Sequence, residues 1–206
     1  MKKLILVLLL LAPLLGQAQP KMHIKAWIGG NTHTFNYRAE DLASDFINGW
    51  QGGFGFRIRQ DQIFGEVDFS FIRFEANIPF EIEIEPDSIA RLETRIRFNS
   101  FELPLLAGYV PIKTPLFKWY LQTGLVSRFN VKEKVTVTFG EESITETFKP
   151  REAGLLGYNL FWRIGTQVDI AMINIGFNYS LNITNGVLGA TRTNVHVLLL
   201  DVGFIF

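Results

Sequence analysis

The sequence predicts an all-β fold, an eight-stranded antiparallel up-and-down transmembrane β-barrel. Three observations carry this. Beyond residue 20, apolar residues recur at every second position. No apolar run after the first 18 residues approaches the roughly 20 residues that a membrane-spanning helix requires. The links between the alternating segments are short and long in strict turn. Lipid offers no hydrogen-bond partner to open backbone, so a spanning chain without apolar helices must close its strands into a cylinder.

The first predicted strand, about Met22 to Asn31, has Ile24, Ala26 and Ile28 as its apolar set. In the second, Trp50, Phe54, Phe56 and Ile58 oppose Gln51, Gly53, Gly55, Arg57 and Arg59. The third sets Ile63, Val67, Phe69 and Phe71 against Glu66, Asp68 and Ser70, and the fourth sets Phe101, Leu103, Leu105, Ala107 and Tyr109 against Glu102, Pro104 and Gly108. The fifth opposes Phe117, Trp119, Leu121 and Leu125 to Lys118, Tyr120, Gln122 and Gly124, and the sixth opposes Trp162, Ile164, Val168 and Ile170 to Arg163, Gly165, Gln167 and Asp169. The seventh, Ile173 to Thr184, alternates without a fault. A strand keeps two such sets on opposite faces, whereas a helix would spread both around its circumference. The eighth carries Leu198, Leu200, Val202, Phe204 and Phe206 on one face and Leu199, Asp201, Gly203 and Ile205 on the other.

Short links are expected at 60–62, 111–115 and 171–172, and long ones at about 32–49, 75–91, 130–154 and 185–193. Outer-membrane barrels have short periplasmic turns and longer external loops, so Phe206 is expected on the periplasmic side. Two long links read as hairpins that prolong the wall. Glu81, Glu83 and Glu85 precede a turn at Pro86-Asp87-Ser88 and face a return segment with Arg91, Arg95 and Arg97. Val131 to Phe139 alternates, turns near Gly140-Glu141-Glu142 and returns through Ser143 to Phe148.

A soluble lipocalin-like calyx also has eight alternating strands. Its outer surface would favour long Lys and Glu side chains, whereas here the polar face is rich in Gly, Asn and Ser, which suits a narrow lumen. The aromatic residues agree. Phe117, Trp119, Tyr109 and Phe206 fall near the expected periplasmic ends, and Trp50, Phe71, Phe129 and Tyr158 fall toward the outer ends, as two interfacial girdles would.

Residues 1–18 read as a cleavable signal peptide: Lys2 and Lys3, an apolar run from Leu4 to Leu15, then Gly16-Gln17-Ala18 before Gln19. The barrel domain is then 19–206. Removing the first 18 residues takes two of 20 basic residues and none of 20 acidic ones, leaving a net charge of −2 that argues against a nucleic-acid partner. The absence of cysteine excludes disulfides and a Cys-linked lipid anchor.

The strands carrying Glu66-Val67-Asp68-Phe69-Ser70 and Phe101-Glu102-Leu103-Pro104-Leu105-Leu106 point to a family when taken with Gly124, Gly165 and Tyr179-Ser180-Leu181-Asn182-Ile183. So does the closing Val202-Gly203-Phe204-Ile205-Phe206. The chain resembles the PorT-like outer-membrane β-barrel proteins of the Bacteroides–Flavobacterium group along essentially its whole mature length. The resemblance implies a bacterial outer-membrane location and eight strands. It also implies that Phe204 and Phe206 form the terminal aromatic signal read by the barrel-assembly machinery. One member of that family is linked to protein export, and no motif here carries that role across.

Inward-facing charges are expected to form a lumen network: Lys25, Arg57, Arg59, Lys118, Arg128 and Arg163 with Glu66, Asp68, Glu102, Asp169 and Asp201. Isolated charge in so narrow a space is very costly, so these groups should pair or stay hydrated. The expected result is a plugged polar lumen rather than an ion path. Among enzymes, a lipid-modifying site at the membrane rim would need a Ser/His/acid group. His33 with Ser44 and Asp45 is the nearest arrangement, beside His23 and His196 elsewhere, and nothing in the sequence shows that these residues converge. No Cys/His ligand spacing or phosphate-cradling loop appears, and the acidic alternation at 81–87 fits a strand face better than a Ca²⁺ site. The expected protein is non-enzymatic and cofactor-free, contacting outer-membrane lipid along its wall. It acts as a structural or interaction component of the envelope through its external loops, where a protein partner would bind. The alternatives are an accessory of an outer-membrane protein-export system and, last, a rim lipid enzyme.

Overall fold

The computed structural model describes residues 20–36, 47–85, 88–139, 142–149, 157–184 and 194–206. Residues 1–18, where a signal peptide is expected, and the pair Ser44 and Asp45 lie outside the described residues. Nine strands are present among the described residues: β1 (Lys21–Asn36), β2 (Ile47–Gln60), β3 (Ile63–Glu85), β4 (Ser88–Lys113), β5 (Phe117–Phe139), β6 (Glu142–Phe148), β7 (Tyr158–Ile170), β8 (Ile173–Asn182) and β9 (Asn194–Ile205). All pairings are antiparallel, and β1 meets both β2 and β9 while β4 meets β5 and β5 meets β7. Eight strands thus close into a cylinder. The ninth, β6, pairs only with the upper part of β5 and stands outside the closed ring.

Alternation sorts the side chains as a membrane barrel requires. Phe54, Phe56, Leu105, Phe177, Leu200 and Phe204 are among the large apolar groups exposed on the outer wall, while Lys25, Arg57, Glu66, Glu102 and Asp169 are buried inside. Apolar groups facing outward have no stabilisation in water, but they match a hydrocarbon solvent. Trp50 packs 5.5 Å from Phe71 and Phe129 packs 5.3 Å from Tyr158 near the loop end. Tyr109, Phe117 and Phe206 are exposed near the turn end.

The short turns lie together at one end. Asp61 and Ala171 adopt φ of 52° and 54°, the left-handed conformation that two-residue hairpin turns demand. The Ala171 amide donates to the Leu116 carbonyl at 2.8 Å, tying two turns together. The ring closes beside them, where Ile24 and Phe206 exchange backbone hydrogen bonds of 3.0 and 2.9 Å.

The wall is uneven in height. β3, β4 and β5 have 23, 26 and 23 residues, against 13, 10 and 12 in β7, β8 and β9. Ten extra residues at about 3.3 Å each carry a strand about 33 Å further along its own direction. Two register breaks lie between β4 and β5. At the outer one, Asn99 pairs with Lys132 and Ser100 with Asn130, so Val131 is an extra residue in β5. Such a bulge exchanges the faces of all that follows, and Glu133 rather than Lys132 or Lys134 is the buried residue above it. The second break lies between Tyr109 and Ile112.

The β3–β4 hairpin differs in register from the expectation of three facing charge pairs. Glu81 does oppose Arg91, but Glu83 and Glu85 oppose Ile89 and Ser88. Arg95 and Arg97 fall opposite Asn77 and Glu75 instead. The return strand is displaced along its partner, with a register shift between Glu83 and Glu85.

Candidate functional site: the lumen and the external sheet

Inward positions on neighbouring strands bring the predicted charges together in two groups. In the lower group, Lys25 on β1 bonds Glu66 and lies 3.3 Å from Asp68, both on β3. Glu66 also accepts from Arg57 Nε at 2.6 Å, so it bridges two cations. Arg57 reaches across the lumen to β7, where it contacts Asp169 at 3.3 Å and donates to Gln167. Its guanidinium lies 4.3 Å from the Tyr120 ring centre, and the Tyr120 hydroxyl donates to Asp169 at 2.6 Å. Arg59 donates to the same hydroxyl at 3.2 Å. Asp201 on β9 accepts from Asn178 at 3.2 Å.

The upper group is a triad. Glu102 on β4 accepts from Arg128 Nε at 2.8 Å on Oε1 and from Arg163 Nη2 at 2.8 Å on Oε2, and Arg128 Nη2 lies in ionic contact with Oε1 at 2.6 Å. Arg163 also donates to Ser180 at 2.8 Å. Buried ion pairs are favourable only where the remaining polar atoms are also bonded, and amides do much of that here. Gln167 donates to Gln122 at 2.9 Å, Gln122 to Asn178 at 2.7 Å, and Asn174 to Asp169 at 2.6 Å.

Ten of the eleven expected network residues are buried in the lumen: Lys25, Arg57, Arg59, Arg128 and Arg163, with Glu66, Asp68, Glu102, Asp169 and Asp201. The eleventh, Lys118, is half-buried at the turn-end mouth. Two glycines make room for this packing. A Cβ on Gly55 would stand 1.8 Å from Asp68 Oδ1, and one on Gly176 would stand 2.5 Å from Asp201 Oδ1.

The lumen is not polar throughout, contrary to the expectation of a polar plug. Beside the triad, Val126, Phe161, Val195, Val197 and Leu199 form an apolar layer, with Arg128 lying 4.3 Å over the Phe161 ring. Near the turn end, Phe64, Val110 and Tyr120 form a second one. Sequence reasoning missed the upper layer because β9 is apolar on both faces there: Val195, Val197 and Leu199 inside, Leu198 and Leu200 outside. It also left out Gln122, Gln167, Asn174 and Asn178, although their positions on the inward face were visible. Arg57, Asn174, Ser180, Val126 and Val197 all have zero exposure, so these lumen side chains are closed to solvent.

His33 is fully buried inside the lumen, with its ring stacked 3.9 Å from that of Phe74. It therefore does not face the lipid rim. His196 accepts or donates a 2.5 Å hydrogen bond with Tyr179. No cluster of three metal-ligating side chains occurs among the described residues.

Above the outer girdle, β3, β4, β5 and β6 form a four-stranded sheet that rises clear of the shorter strands. Its β6 edge is exposed from Ser143 to Thr147, with Ile144 at 70% exposure. Arg97 and Glu75 form an ion pair across β3 and β4. Glu133 lies buried between Phe98 and Phe148 in register, and burial pushes its carboxyl up to about 7.

A closed strand cylinder with an apolar exterior and a charged interior is the architecture of an outer-membrane barrel. The family model described as "Outer membrane protein beta-barrel domain" matches residues 17–185. The chain belongs to that family. Its location is the bacterial outer membrane. Barrels of this kind have short periplasmic turns and longer external loops. Similar solved structures include Ail, the attachment invasion locus protein of Yersinia pestis, at 12% identity, covering 90% of this chain and 99% of that one with a TM-score of 0.49. Neisserial surface protein A is 12% identical over 91% of this chain and 99% of that one, with a TM-score of 0.45. OprG of Pseudomonas aeruginosa is 15% identical over 90% and 95%, with a TM-score of 0.44. A comparison with curated protein sequences gave no match.

Proposed function

We propose that this barrel is a sealed membrane scaffold that presents the β3–β6 sheet outside the cell as an interaction surface for another envelope or surface protein. The sheet carries the reading: three wall strands extend beyond the girdle and a fourth, β6, offers an exposed edge. Such an edge can recruit an extended segment by strand addition. The inaccessible lumen supports a scaffold rather than a conduit, and the burial of His33 supports a non-catalytic role. Within the family, the strand motifs around Glu66 and Glu102 and the closing Val202–Phe206 segment favour the PorT-like branch. Phe204 and Phe206, exposed at 58% and 64% on the outer wall, would serve as the signal for the barrel-assembly machinery.

The test combines assembly with capture. Deleting 132–148 should leave a heat-modifiable, membrane-inserted barrel. In the intact protein, a photo-crosslinker placed at Thr145 should form an adduct with the partner in cells. An adduct that survives when the crosslinker is moved to the remaining sheet and 132–148 is deleted refutes the edge as the docking site. Reconstituted protein should give no stable single-channel steps in planar bilayers, and reproducible open-channel currents would refute the sealed scaffold.

A further inference from the structure

At the turn end the lumen opens into a cavity of about 390 Å³ whose lining includes Lys21, His23, Arg59, Lys113 and Lys118. Its lining contains no carboxylate. The sheet register makes this unusual. Lys21 stands directly opposite Arg59 on the β1–β2 ladder, and Lys113 directly opposite Lys118 on the β4–β5 ladder. Like charges facing across an antiparallel pair are destabilising, and here two such pairs converge on one concavity.

Apart from Asp201, the other charges of the lumen network pair within 4 Å, but these four cations form no ion pair among the described residues. The nearest acid in register is Asp169, opposite Lys118, and it is already engaged by Arg57, Tyr120 and Asn174. Arg59 is held as a buried floor by Tyr120, and His23 Nε2 is buried without a hydrogen-bond partner.

We propose that this periplasmic mouth binds a phosphate group, presented either by a phospholipid headgroup of the inner leaflet or by a soluble phosphate. Phosphate suits the site better than a single carboxylate. It offers several oxygens to donors arriving from different strands, the Arg59 fork as well as the Lys ammonium groups. The mouth also lies at the level of Tyr109, Phe117 and Phe206, the interfacial girdle beside which lipid phosphates sit.

The experiment uses the folded barrel in maltoside micelles free of phosphate, titrated with inorganic phosphate and separately with phosphatidylglycerol, and followed by calorimetry and thermal unfolding. Wild type should bind inorganic phosphate saturably and unfold at a higher temperature in its presence. Lys113→Gln with Lys118→Gln should weaken binding by about tenfold or more. Without phosphate this variant should be as stable as wild type or more so, because one repulsive pair is gone. Lys132→Gln with Lys134→Gln, on the external sheet, should leave binding unchanged. Competition by phosphatidylglycerol assigns the lipid source, and binding without such competition assigns a soluble one; both sustain the site. No saturable binding, equal binding by the mouth variant, or tighter binding of a hexaglutamate peptide than of phosphate would overturn it.

Discussion

Glu102→Gln is the sharpest probe of the lumen. The substitution keeps the shape of the side chain and removes one charge. In the native triad both carboxylate oxygens accept a 2.8 Å hydrogen bond, one from Arg128 Nε and one from Arg163 Nη2, and Arg128 Nη2 adds an ionic contact of 2.6 Å. An amide can accept on one oxygen only, and its NH2 would then face a guanidinium donor. Two arginines would be left buried beside Val126 and Phe161. Removing one partner from a buried pair costs about 3–5 kcal/mol, or roughly two to nearly four decades in the folded-to-unfolded ratio. Urea titration of the barrel refolded into lipid vesicles, read by tryptophan fluorescence and gel mobility, measures the loss. The double-mutant cycle with Arg163→Met isolates its cause: Arg163→Met should cost markedly less in the Glu102→Gln background than in wild type. A loss under about 1 kcal/mol with no coupling would mean that water reaches the triad and that the lumen is not sealed.

Two further substitutions test the turns and the external sheet. Ala171 holds φ at 54°, where a Cβ is strained and glycine is not, so Ala171→Gly should stabilise the barrel by about 1 kcal/mol in the same titration. Glu133, above the girdle, has a carboxyl raised to about 7 by burial. Its folded value therefore exceeds the ordinary carboxylate range, and the stability it allows is full below about 4.5 and lost as pH rises through about 7. Amide exchange in the β5–β6 hairpin should be faster at pH 8 than at pH 5 beyond the intrinsic rate change, and Glu133→Gln should abolish the difference.

The fold was legible wherever the two faces differ in chemistry. β8 shows it most plainly: Ile173, Ile175 and Phe177 are exposed on the wall, while Asn174, Asn178 and Ser180 are buried in the lumen. The position of the network charges followed from the same alternation. Legibility failed in three places for separate reasons. In upper β9 both faces are apolar, so no pattern distinguishes a lumen plug from a lipid-facing band. In β5 the extra residue Val131 exchanges the faces, and a bulge leaves no mark in hydropathy. In the β3–β4 hairpin, charge complementarity was a poor guide to register, because exposed cross-strand pairs contribute only about 0.2–1 kcal/mol and yield to the geometry of the turn. The basic mouth escaped notice for another reason. Lys21 and Lys113 look like ordinary solvated ends until the register sets them against Arg59 and Lys118.

The ion pairs of the lower lumen also bear on how such a chain enters a membrane. Arg57 on β2 finds its partners Gln167 and Asp169 on β7, on the far side of the cylinder. An open sheet lying in lipid would keep the Arg57–Glu66 pair of the adjacent strands β2 and β3 but would leave Asp169 without its guanidinium. The charges thus penalise insertion of a flat intermediate and favour a route in which the strands curl and the β1–β9 seam closes as the wall enters hydrocarbon. A plug described at equilibrium becomes, in time, a device that couples insertion to closure.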